Sequence, residues 1–164
     1  GGDARITGVE LHLLWMPAER WLLGLNLGVN DSEITKGVGG NIEGRELPNL
    51  PNFTASASVE YRFPFRELGN AFVLLAHQHV DQQATRLQSA NSDGFYIDGY
   101  EIGDLRAGLD GADGKWGVDL FVRNLWDERA ELGRGLSSVS AVTSANIFTI
   151  VQPRTIGITL RTAF

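Results

Sequence analysis

The sequence contains no cysteine. That excludes a disulfide framework, a cysteine-ligated zinc centre and a thiol nucleophile. Proline is scarce, with 5 residues in 164, so few positions are barred from a strand ladder. Positive charge is in deficit: 14 Lys and Arg stand against 20 Asp and Glu, a formal charge of −6. This balance speaks against a nucleic-acid partner, which is usually met by a basic face that neutralises phosphates. No apolar run approaches the ~18 residues of a membrane helix; the densest is Phe72-Val73-Leu74-Leu75-Ala76. A helical span is thereby excluded. A membrane β-barrel is not, because its strands alternate and never look apolar overall. The chain opens on Gly1-Gly2-Asp3 and reaches strand-like sequence almost at once. It is read as a piece of something longer.

What is present is period two, the signature of strands with two unlike faces. In 53–63, Phe53, Ala55, Ala57, Val59, Tyr61 and Phe63 alternate with Thr54, Ser56, Ser58, Glu60 and Arg62. In 6–15, Val9, Leu11, Leu13 and Trp15 oppose Glu10 and His12; in 21–30, Trp21, Leu23, Leu25, Leu27 and Val29 oppose Asn26 and Asn30. In 116–123, Trp116, Val118, Leu120 and Val122 oppose Asp119 and Arg123. At the end of the chain Ile156, Ile158 and Leu160 oppose Arg161, and Phe164 falls on the apolar face. Stretches 71–81 and 99–109 alternate less cleanly, with Val73, Leu75, His77 and His79 on the apolar face of the first and Leu105, Ala107 and Leu109 on that of the second. The expectation is an all-β antiparallel meander of about seven long strands. Strands of this length suit tilted membrane spans of ~9–11 residues.

The connections alternate strictly. Those around Pro17–Arg20, Arg66–Asn70 and Asp110–Gly114 are short; those at 31–50, 82–98 and 127–152 are long and polar. A soluble sandwich has no reason to sort its loops by side, whereas a membrane barrel has short turns on one side and long loops on the other. Trp15, Trp21, Tyr61, Phe63, Trp116 and Phe164 share the apolar face at the short-turn ends, as expected of rings at a bilayer interface. Glu10, His12, Asn26, Asn30, Glu60, Arg62, Asp119, Arg123 and Arg161 share the opposite face, as expected of a wet lumen; charge that dense does not fit a dry core.

Four segments, GVELHLLWMPAERWLLGLNLG (8–28), LPNLPNFTASASVEYRFPF (47–65), LRAGLDGADGKWGVDLFVRNLWDER (105–129) and PRTIGITLRTAF (153–164), resemble the C-terminal end of TonB-dependent outer-membrane receptors. His77 and His79 stand where that family usually has aromatics. The resemblance implies a segment of a 22-stranded type of transmembrane barrel, with residues 1–164 as its C-terminal portion and the plug domain and earlier strands outside this chain. It implies the bacterial outer membrane as location and its lipid bilayer as environment. TonB and the outer-membrane assembly machinery are the implied partners, with Phe164 as the assembly signal. The implied role is uptake of a scarce nutrient such as an iron–siderophore complex, the long loops meeting the solute first; the sequence does not name the solute. A soluble antiparallel β-sandwich serving as a binding module, and a complete small outer-membrane barrel, stay open as alternatives.

Other motifs give no chemistry. His77-x-His79 has metal-ligand spacing with no evident third ligand, and is read as a polar pair at the interface. Asp110–Gly114 lacks the spacing and distal Glu of a calcium loop and reads as a tight turn. Gly37–Gly40 fails the dinucleotide spacing. Residues 137–146, SSVSAVTSAN, read as an exposed loop tip. No serine lies in a nucleophile elbow. Hence no catalytic residue, metal ligand or cofactor is assigned, and no enzyme activity is expected.

Overall fold

The computed structural model of the chain describes residues 2–37, 42–86, 96–138 and 144–163. Its strands in chain order are β1 (Asp3–Trp15), β2 (Trp21–Lys36), β3 (Phe53–Phe65), β4 (Gly69–Val80), β5 (Gln83–Ala84), β6 (Tyr96–Ile97), β7 (Tyr100–Gly111), β8 (Trp116–Arg123), β9 (Glu131–Ser138), β10 (Ser144–Ile150) and β11 (Thr155–Thr162). Seven of them form one sheet in the order β1-β2-β3-β4-β7-β8-β11, every neighbouring pair antiparallel. β1 and β11 are its two edges. The seven long alternating segments are therefore the seven wall strands, in sequence order.

Alternation fixes the register, since a slip of one residue would carry every apolar side chain to the charged face. One cross-strand row runs Trp15, Leu23, Val59, Leu75, Leu105, Val122, Ile156. Three residues on, toward the short turns, the row Arg62, Phe72, Gly108, Asp119, Thr159 lies on the opposite face. Three tight turns close one end of the sheet. Trp21 N donates to Ala18 O at 3.0 Å, and Leu68 N to Phe65 O at 3.2 Å. In the third, Gly114 supplies a φ of +70°, and Asp113 Oδ1 accepts from Lys115 N at 3.0 Å. The Asp110–Gly114 motif is thus a hairpin turn.

The opposite end departs from expectation. Residues 31–36 continue β2 rather than opening a loop; polar Asp31, Glu33 and Lys36 hid the alternation, yet Ile34 is buried and Arg5 pairs with Glu33 at 2.6 Å. The stretches 82–98 and 127–152 each carry a small hairpin, β5–β6 and β9–β10. β5 and β6 have only two residues each, and ELGRGLSS of β9 has no apolar period to read. The proposed tip at 137–146 is strand at both margins, with 139–143 outside the described residues; Gly37–Gly40 also falls largely outside them.

Buried apolar side chains concentrate at this end: Ile34, Val80, Ala84, Ile97 and Val151. Among the described residues of the wall strands away from that end, only Phe72 joins them. The large side chains of the apolar face stay open, including Leu75 at 41%, Ile158 at 60% and Leu160 at 74% exposure. A soluble sandwich requires that face to be a core, but among the described residues no second sheet covers it. A contiguous apolar surface of this kind belongs against another apolar phase.

Candidate functional site

The polar face divides into two zones along the strands. Toward the short turns, β3, β7, β8 and β11 carry an ion ladder. Glu60 pairs with Arg62, Arg62 lies 4.0 Å from Asp110, and Arg161 Nη2 donates to Asp110 at 2.7 Å and Asp119 at 3.3 Å. Arg106 closes the ladder on Asp119, whose side chain is wholly buried between the two guanidiniums. Arg62 and Arg106 both lie over the Phe72 ring, at 5.2 and 5.5 Å from its centroid. The buried carboxylate is compensated on both sides, which its removal from water requires.

Toward the long connections the same face turns to amides and hydroxyls. His12 Nδ1 donates to Asn26 Oδ1, and Asn26 Nδ2 donates to Ser56 Oγ at 2.9 Å. A groove of ≈ 520 Å³ is lined here by Glu10, His12, Asn26, Asn30, Ser56 and Gln78. Asn30 folds over Gly8 on the neighbouring strand. Between the zones, Arg123 lies over the Phe121 ring at 5.3 Å. All nine polar residues singled out in the sequence thus share one face of the sheet. Arg106 and Asp110, essential to the ladder, were missed. Leu105, Ala107 and Leu109 had already fixed the parity of β7, so its alternation contained the signal.

The opposite face carries the aromatics. Trp21 and Tyr61 lie 4.6 Å apart, and Tyr61 and Phe63 5.6 Å. Trp15 and Trp116 sit at the short-turn ends of β1 and β8. Phe164 lies outside the described residues. A second aromatic level escaped the sequence reading: Phe53 packs on His79 and Trp126 on His77, both at 5.7 Å, near the long-connection ends. Trp126 lies beyond β8, where no alternation could place it, and its ring covers Gly103; a Cβ there would overlap the indole. Glu101 sits across from His79, 3.2 Å from its Nδ1 and 3.9 Å from His77 Nε2. Among the described residues no group of three His, Cys, Asp or Glu converges as a metal-binding set.

The last feature is a polar knot where the chain leaves β8. Asn124 is 3% exposed, and its side chain joins both feet of the excursion. Nδ2 donates to Glu128 O and Gln152 O, both at 2.9 Å, while Oδ1 accepts from Glu128 N at 2.8 Å. Asp127 Oδ1 accepts from Arg154 N at 3.0 Å. That backbone N–H, helped by the Arg129 side chain, holds the Asp127 carboxyl below the ordinary carboxylate range.

Residues 1–125 match the family described as TonB dependent receptor-like, beta-barrel. No curated protein matches the chain in sequence. Among solved structures, the ferric yersiniabactin uptake receptor FyuA from Yersinia pestis aligns with a TM-score of 0.83 at 25% identity, over 99% of this chain and 24% of that one. BauA, the ferric preacinetobactin receptor from Acinetobacter baumannii, aligns at 0.78 and 17% identity, over 98% and 22%. The siderophore receptor PiuA from the same organism aligns at 0.74 and 19%, over 97% and 22%. The chain spans about a quarter of the length of these structures. Its meander, its two unlike faces and its sorted connections are those of a barrel wall, and the chain belongs to the TonB-dependent receptor β-barrel family.

Proposed function

We propose that this chain is the C-terminal wall segment of an outer-membrane receptor that takes up an iron chelate or a similar large solute with energy delivered through TonB. The observation that carries the reading is the alignment over 99% of the chain with a ferric yersiniabactin uptake receptor. The geometry supports it. The apolar face of Leu25, Leu75 and Leu120 meets lipid, with Trp15, Trp21, Tyr61, Phe63 and Trp116 at the periplasmic interface and Phe53 and Trp126 at the outer one. The ion ladder and the His12–Asn26–Ser56 chain face the lumen. The long connections, with β5–β6 and β9–β10, are extracellular and meet the solute first. Phe164 serves as the assembly signal. The charges of the ladder are paired with one another, which suits passage of a hydrated solute without trapping it. The work of this chain is binding and conduction, without bond chemistry.

The test uses the intact receptor in cells lacking their own siderophore receptors, with and without TonB. Accumulation of ⁵⁵Fe is followed after feeding ferric yersiniabactin, ferric preacinetobactin and ferric citrate. TonB-dependent accumulation of at least one chelate is the expected result. A correctly assembled receptor that raises accumulation of none of them contradicts the siderophore reading.

A further inference from the structure

We infer that Asn124 is a positioning residue. It fixes the β9–β10 hairpin to the rim so that the three long connections present one preformed surface rather than three independent lids. The use of this surface in solute capture rests on the proposed function; the clamp itself does not.

The excursion from β8 to β11 begins and ends at paired feet, Arg123 opposite Thr155. Pairing at the feet alone would leave the hairpin free to swing. Asn124 removes that freedom. Both amide hydrogens and the amide oxygen are engaged, to the outgoing segment before β9 at Glu128 and the returning segment after β10 at Gln152. Its own N–H donates to Asp104 Oδ1 at 2.9 Å, and Leu125 N donates to Gly103 O, which ties the knot to β7. Asn124 and Asp127 adopt φ of 52° and 56°, a left-handed conformation that Asn and Asp tolerate better than most residues. Asp127 adds the bond to Arg154, and Val151 N donates to Ala130 O at 3.0 Å with Val151 itself buried.

The fixed hairpin then meets its neighbours. β9 contacts β6, and Asn49 N of the first connection donates to Ala84 O of β5 at 2.7 Å. Ala84 and Ile97, buried at the centre of this contact, are among the most enclosed apolar residues described. The three connections therefore form one chain of contacts, anchored at its last member by Asn124. Aspartate keeps the acceptor and loses both donors; alanine loses all three bonds; glycine keeps the left-handed backbone and loses the bonds.

The test places spin labels at Gln82→Cys and Ser138→Cys in the intact receptor and reads their distance distribution by pulsed electron paramagnetic resonance. The parent should give one narrow peak. Asn124→Ala, Asn124→Asp and Asn124→Gly should each broaden it, with heat-modifiable gel mobility of the barrel unchanged. A narrow peak in Asn124→Ala overturns the clamp. A narrow peak in Asn124→Gly alone also overturns it, since backbone conformation would then suffice. The capture role is read from ⁵⁵Fe uptake with ferric yersiniabactin. Asn124→Gly should raise the half-saturating concentration about tenfold, corresponding to ~1.4 kcal/mol, at an unchanged maximal rate. An unchanged half-saturating concentration beside a broadened distance overturns the capture role. Absence of uptake by the parent contradicts the proposed function instead, and leaves the distance result standing.

Discussion

The wall and the rim of this molecule are held by different means. The wall buries one large apolar side chain, Phe72, and leaves Leu75, Leu120, Ile158 and Leu160 open. The rim buries Ala84, Ile97 and Val151 of its connections together with Ile34 and Val80 at the outer ends of β2 and β4. A sheet with so little core of its own depends on its surroundings for apolar burial, whereas the rim is packed by the protein itself. In the proposed reading the bilayer is the wall's missing layer. The polar groups divide in the same way. Wall charges pair across strands, as Arg106 and Arg161 do on Asp119, while rim polar groups such as Asn124 serve the backbone.

The sharpest way to break this comparison is to damage each region by its own rule. Ile97→Ala removes an almost fully enclosed side chain and should cost about 2–5 kcal/mol locally. Hydrogen exchange should show faster opening of β5, β6 and β9, with the wall strands unaffected; equal acceleration in the wall would mean that rim and wall are one cooperative unit. Leu75→Arg places a cation on the mid-row of the apolar face and should cost about 2–4 kcal/mol in a refolding titration, falling to about 0–1 kcal/mol for Val118→Arg near the short-turn interface. Asn26→Arg, on the polar face, should be milder than Leu75→Arg. Equal penalties at the three positions would mean that the faces are misassigned.

Asp119→Asn tests the ladder. It removes the charge that Arg106 and Arg161 share, and should cost about 1.5–3 kcal/mol. Simultaneous Arg106→Met and Arg161→Met should recover part of the loss; no recovery would mean that Asp119 acts through something other than its two guanidiniums. The smallest effect is at Asp127. Its carboxyl lies below the ordinary range because Arg154 N–H binds the charged form. Such a group contributes stability above the ordinary carboxylate range and loses it only as the pH falls through the lowered value. The β9–β10 amides should therefore stay protected into mild acid and open below it, and Asp127→Asn should flatten that acid dependence. The same acid opening in Asp127→Asn would remove the carboxyl from the account.

How legible each region was in the sequence follows from its physics. A strand between lipid and water must alternate, so the apolar-face placement of Tyr61 and Val73 and the opposition of Asp119 to Val118 could be read from spacing alone. Arg106 and Asp110 were overlooked on β7, where Gly103, Gly108 and Gly111 interrupt the pattern. The rim has no such period. Its hairpins are short, Asn124 acts through backbone groups 28 residues away at Gln152, and Trp126 reaches the apolar face from beyond a strand end. Contacts of that kind are made by tertiary closure and leave no local trace.

The account turns on which face of the wall meets lipid. Adjacent positions on β4 answer this directly. Leu74→Cys and Leu75→Cys in the intact, membrane-embedded receptor, each carrying a bimane label, are titrated with nitroxide-bearing lipid. The account predicts strong quenching at 75 and little at 74, where the label faces the lumen. Equal quenching, or quenching at 74 alone, would contradict the wall assignment and the uptake reading built on it.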